Sequence, residues 1–98
     1  MQASTQPIAR NISCDIMPVL RRNDKQNSPN EQVKYLQQLL NNYGFRIKAD
    51  GLFGAKTEVA VKEFQGRSHE EIGRNTLTVD GIVGPQTWQA LGACYYGC

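Results

Sequence analysis

Long apolar runs are absent from this sequence, and so is any surplus of charge of one sign. No stretch approaches the roughly twenty apolar residues that a helix needs to cross a bilayer, which leaves no candidate membrane-spanning helix in the 98 residues. Eleven Lys+Arg stand against nine Asp+Glu, a net charge of +2. That is too little to point to a nucleic acid or an anionic membrane surface as partner. Basic residues gather only at Arg21, Arg22 and Lys25, which read as a solvated loop. A helix-turn-helix would need a recognition helix with basic side chains. "PQTWQAL" (85–91) has none, and Lys56 and Lys62 on the preceding helix are thin support.

Histidine is nearly missing as well. His69 is the sole one, in a polar stretch, where a lone imidazole is most simply solvated. A structural zinc site needs about four ligands, so no metal and no cofactor are expected. Catalysis is equally short of material. A hydrolase needs a positioned nucleophile, a metal or a tuned acid pair. Asp50 and Asp80 could form such a pair, but nothing in the sequence sets their separation. The expectation is a chain that is not an enzyme. Three cysteines, Cys14, Cys94 and Cys98, allow one disulfide with a thiol left over, or three inert thiols at the chain ends. The opening "MQASTQPIARNISC" lacks the charged start and apolar stretch of a signal peptide. A soluble chain is expected, whether whole or part of a longer exported protein.

What the sequence does contain is a turn written twice. "DGLFGAKTEVAV" begins at Asp50 and "DGIVGPQTWQAL" at Asp80, thirty residues on. The aspartate, both glycines, the threonine (57/87) and the alanine (60/90) coincide. Leu52 matches Ile82, and Phe53 matches Val83. Asp-Gly favours a turn because glycine accepts positive φ without steric cost. The apolar pair that follows anchors the turn in a core, and the threonine falls in the first helical turn, where backbone groups lack partners. Helices are predicted after each turn, over about 54–65 and 85–91, the first stopping at Gly66. A helix over about 29–43 precedes them. Ser28 would be its cap, Pro29 its first residue, and Val33, Leu36, Leu40 and Tyr43 its apolar stripe. "FRIKA" and "LTVDG" alternate weakly and could at most pair as a tiny ribbon. Trp88 reads as core, while Gln37 and Gln65 could cap that core or project into a groove. The fold expected is all-α: a compact, partly orthogonal three-helix bundle with two repeated loop-to-helix units. Residues 1–17 read as a flexible arm, 18–93 as the domain and 94–98 as a tail.

These residues resemble the peptidoglycan-binding domains of the PGBD-like family, often attached to cell-wall hydrolases. The resemblance is carried by Leu20-Arg21; Val33, Leu36, Gln37 and Leu40; Gly44; Asp50 through Thr57; Ala60, Val61, Phe64 and Gln65; and Val79 through Leu91. It implies a noncatalytic, extracytoplasmic module that binds peptidoglycan at the cell wall or periplasm and tethers an attached or partner hydrolase domain. The surface it suggests is a cleft lined by both turns: Asp50, Gly51, Phe53 and Thr57 from one, and Asp80, Gly81, Val83 and Thr87 from the other. Two stretches depart from the family pattern. "RNDKQNSPNEQ" (22–32) is longer and lacks the usual glycine, and "GRSHEEIGRNTLTV" (66–79) replaces a short passage. Because both border the suggested groove, a spacer that keeps the fold without the ligand is the main alternative, and a small helical nucleic-acid binder the lesser one.

Overall fold

The computed structural model describes residues 13–71 and 78–94, with the backbone alone for 68–71. His69 and Cys98, singled out above, lie outside the described side chains. Three α-helices form the domain: α1 (Glu31–Asn42), α2 (Ala55–Glu71) and α3 (Pro85–Leu91), preceded by a short 3-10 turn at Cys14–Ile16. No strand occurs among the described residues, and the all-α expectation holds. An isolated antiparallel bridge joins Leu20 to Val83; "FRIKA" forms no strand, and "LTVDG" begins outside the described residues.

Helix α1 starts two residues later than the Ser28-Pro29 signal suggested. Its cap is Asn30, whose side-chain oxygen accepts from the backbone N–H of Gln32 (2.8 Å) and Val33 (3.0 Å). The reason is tertiary. The Asn30 N–H donates to the Gly51 carbonyl (3.0 Å), and this holds residue 30 extended. Helix α2 runs on past Gly66, where a stop was expected. A mid-helix glycine costs only about 1 kcal/mol against alanine. Just beyond it, Arg67 stacks over the Phe45 ring (4.6 Å) and donates to the Tyr43 carbonyl (3.4 Å), which fixes that turn. Helix α3 follows expectation, with Pro85 in its first turn and Gly92 left-handed at its end (φ 87°).

The core comprises Val33, Leu36, Leu40, Phe53, Val61, Phe64, Val83, Trp88 and Leu91, with Tyr35 stacked on Trp88. Trp88 is fully buried, and its indole N–H donates to the Pro18 carbonyl (2.7 Å). Cys14 and Cys94 also belong to this core, joined by a disulfide that spans 80 positions of sequence. The end of the expected floppy arm is therefore part of the packed domain, because its cysteine, Pro18 and Leu20 fasten it to α3 and the second turn. Two inert thiols at loose ends are ruled out for Cys14 and Cys94.

Candidate functional site: two turns on buried glutamines

Each Asp-Gly turn is built around one glutamine from the helix before it. Gln37 leaves α1 fully buried. Its side-chain oxygen accepts from the Gly51 N–H (2.8 Å), and its amide nitrogen faces the Leu52 carbonyl (3.0 Å), Thr57 Oγ1 (3.0 Å) and Asp50 Oδ1 (3.2 Å). A backbone N–H can only donate, so the amide orientation is fixed by its partners. Gln65 on α2 repeats the arrangement. Its oxygen accepts from Asp80 N (3.1 Å) and Gly81 N (3.0 Å), and its nitrogen faces Ile82 O (2.9 Å), Thr87 Oγ1 (3.2 Å) and Asp80 Oδ1 (3.2 Å). Inside a low-dielectric core such satisfied networks fix one geometry, whereas an unpaired member would be costly.

Each aspartate closes its own turn. Asp50 Oδ1 accepts from the Leu52 N–H (3.0 Å) and Asp80 Oδ1 from the Ile82 N–H (2.9 Å). The Leu52 amide holds the Asp50 carboxyl below its ordinary range. Partial burial opposes that shift, while the Gln37 amide and the charge of Lys48 add to it. Gly51 (φ 79°) and Gly81 (φ 76°) both take the left-handed conformation the turn requires.

A strap from Leu20 to Gln26 ties the two turns together from behind. Leu20 and Val83 exchange backbone hydrogen bonds (3.0 and 2.8 Å), and the Asn23 N–H donates to the Phe53 carbonyl (2.9 Å). Gln26 donates to Gly51 O (2.7 Å) and accepts from Phe53 N (3.1 Å). Thus the long, glycine-free "RNDKQNSPNEQ" stretch is pinned to the first turn.

This geometry revises the expected surface. Gly51, Phe53, Thr57, Gly81, Val83 and Thr87 are all buried. The threonine hydroxyls point inward to Gln37 and Gln65, and Phe53 and Val83 are core. Only Asp80 is exposed and Asp50 half-buried. Among the described residues each turn lines a shallow depression of its own, of about 330 Å³ beside the first and about 310 Å³ beside the second. The two are counterparts. Asp50 stands where Asp80 does, Leu52 where Ile82 does, Lys48 where Thr78 does and Lys56 where Gln86 does. Lys48 and Gln26 were not singled out in the sequence, and Lys56 was weighed there only as thin support for a nucleic-acid contact. The glutamine hubs had a legible signal, since Val33-x-x-Leu36-Gln37 returns as Val61-x-x-Phe64-Gln65. Among the described residues, no group of three or more His, Cys, Asp or Glu is gathered as a metal site would require.

A small all-α module with paired turns, each locked on a glutamine and each facing an open depression, is the class this architecture defines. The chain belongs to the family described as "Putative peptidoglycan binding domain", whose model matches residues 29–91 and so takes in both turns and all three helices. It is 39% identical over 74 residues to the Type VI secretion system spike protein VgrG3 of Vibrio cholerae, covering 68% of this chain and 7% of that protein. Among solved structures it is similar to a Burkholderia AP3 phage endolysin, with TM-score 0.61 and 35% identity over 76% of this chain and 25% of that one. It is also similar to a fused zinc-dependent amidase/peptidase/peptidoglycan-binding domain-containing protein of Clostridium acetobutylicum, with TM-score 0.60 and 38% identity over 76% and 28% of the two chains. A third likeness is to a peptidoglycan-binding protein of Clostridioides difficile in complex with glutamine hydroxamate, with TM-score 0.59 and 34% identity over 78% and 41%. In each of these cases the chain spans less than half of its relative, from 7% to 41%.

Proposed function

We propose that this domain is a noncatalytic module that binds bacterial peptidoglycan outside the cytoplasm and holds an attached or partner domain at the wall. The observation that carries the reading is the family match across residues 29–91, which contains both glutamine-locked turns. The relatives support the tethering part. An endolysin and an amidase fusion each devote most of their length to other segments. The buried Cys14–Cys94 disulfide supports an oxidising compartment. The ligand would meet the two depressions, where Asp50, Asp80 and the turn backbone supply polar groups. Gly51, Phe53, Thr57, Gly81, Val83 and Thr87 would shape that surface from beneath. Their burial favours one rival, a spacer that keeps the fold and binds nothing.

Sedimentation separates these readings. Folded protein is expected to pellet with insoluble peptidoglycan stripped of protein and nucleic acid, with only a modest loss of binding between low and physiological salt. Protein that stays in the supernatant at low salt supports the spacer. Steeply salt-dependent binding to DNA, with a slope set by several phosphate contacts, supports a nucleic-acid binder instead.

A further inference from the structure

The two depressions share their plan but not their charge. Beside the first turn stand Lys48 and Lys56 together with Asp50; beside the second, Thr78 and Gln86 take the lysine positions and only Asp80 is charged. The formal balance is thus one positive charge in the first and one negative charge in the second. Each depression lies against a helix start, so that shared feature cannot create the difference. Both lysines are exposed, and neither forms an ion pair among the described residues. Two arginines are engaged elsewhere, and Lys62, whose stem reaches Gly81, does not line the second depression. Arg22 pairs with Asp24 (2.9 Å) and Glu58 (3.2 Å), and Arg67 lies over Phe45. Asp50, for its part, turns Oδ1 inward to Leu52 and Gln37 and feels the charge of Lys48, which leaves the first depression with one lysine more than it has carboxylates. Leu52, 38% exposed, offers an apolar floor beside them.

We propose that the depression beside the first turn is a carboxylate-binding subsite, in which Lys48 and Lys56 receive a free carboxylate of a wall peptide. The inference rests on the peptidoglycan-binding reading and sharpens it: the ligand is the peptide portion rather than the neutral glycan, and the first turn rather than the second selects it. An ammonium-carboxylate contact is a charge-assisted hydrogen bond, stronger than a neutral one, yet at an exposed site each contributes modestly.

The test uses the whole chain and two preparations of purified peptidoglycan, one native and one with its carboxylates converted to amides by carbodiimide coupling. The variant is Lys48→Gln with Lys56→Gln. A control removes the same charge elsewhere, by Lys25→Gln with Lys34→Gln. Circular dichroism and thermal midpoints establish that both remain folded. The double lysine variant is expected to bind native wall roughly three- to tenfold more weakly, as two exposed charge contacts would give. The control is expected to change less than twofold, and amidation to weaken the parent protein but not the Lys48/Lys56 variant. Equal binding by parent and variant, an equal loss in the control, or parent binding indifferent to amidation overturns the carboxylate subsite while wall binding stands. Weakening by the lysine substitutions without any effect of amidation points to another anion, such as phosphate, and also overturns it. Failure of the parent to pellet with either preparation overturns both readings.

Discussion

At the scale of single residues, the two turns look alike and yet differ in what lies behind their glycines. Both Gly51 and Gly81 hold positive φ, so a β-carbon at either carries the left-handed penalty of about 1–2 kcal/mol. Their neighbours differ. A β-carbon on Gly51 would sit 2.9 Å from Pro29 Cβ and 3.0 Å from the Asn30 backbone nitrogen. On Gly81 it would meet Glu58 Cγ at 3.0 Å and Lys62 Cε at 3.1 Å, atoms of flexible side chains near the surface. The first clash must be relieved by moving the start of α1, whereas the second needs only a rotamer change. Gly81→Ala is therefore expected to cost about 1–2 kcal/mol, and Gly51→Ala about 2–4 kcal/mol once overpacking against backbone is added. Urea unfolding of both variants checks this. Equal losses would mean that the Gly51 turn does not press on Asn30 as described.

Among the elements, the legible features were those with local causes. Helix α3 could be read because Gly84, Pro85 and Gly92 each act within a few residues of themselves. The apolar stripe of α1 could be read because its period is its own. What could not be read was set at a distance. The α1 start moved to Asn30 because Gly51, some twenty residues on, claims the Asn30 N–H. Helix α2 outran Gly66 because Phe45 and Tyr43 hold Arg67. The threonines were rightly placed in first helical turns, but their partners were glutamines from the previous helix, not free backbone groups. For the same reason six of the eight residues expected to line a surface are buried beneath it: the repeated glycines, threonines and apolar residues are packed into the two turns. The reassigned cap gives a direct check. Asn30→Ala removes the acceptor for two helix N–H groups and is expected to destabilise by about 1 kcal/mol. Ser28→Ala is expected to stay within about 0.5 kcal/mol, as for an ordinary surface change. A larger loss at Ser28 than at Asn30 in chemical denaturation would restore the original start.

For the whole molecule, the decisive contacts are those that bring the start of the described chain to its end. Cys14 bonds Cys94, Pro18 receives the Trp88 indole N–H, and Leu20 pairs with Val83. A three-helix core of this size is only modestly stable, since a small chain buries a limited share of its surface. A bridge spanning 80 positions restricts the unfolded chain strongly. The loop-entropy relation puts that at about 4 kcal/mol, of which native strain and residual unfolded structure can remove a part. The helices do not depend on the bridge for their own contacts. Helices α1 and α2 are in contact, and the core residues they supply, Val33, Leu36, Leu40, Ala60 and Phe64, lie away from the cysteines in sequence. Reduction is therefore expected to leave helical circular dichroism at 25 °C largely intact while lowering the thermal midpoint by roughly 10–30 °C. The sulfurs are buried, Cys14 wholly and Cys94 at 7% exposure, so a dithiol should act slowly on the folded chain and quickly only once mild denaturant opens it. The measurement is a thermal melt after reduction in denaturant and refolding under dithiol, set beside the oxidised protein. An unchanged midpoint would mean that the strap holds without its covalent tie. Loss of all helix at 25 °C would mean that three helices of this size cannot form a core until the ends are joined.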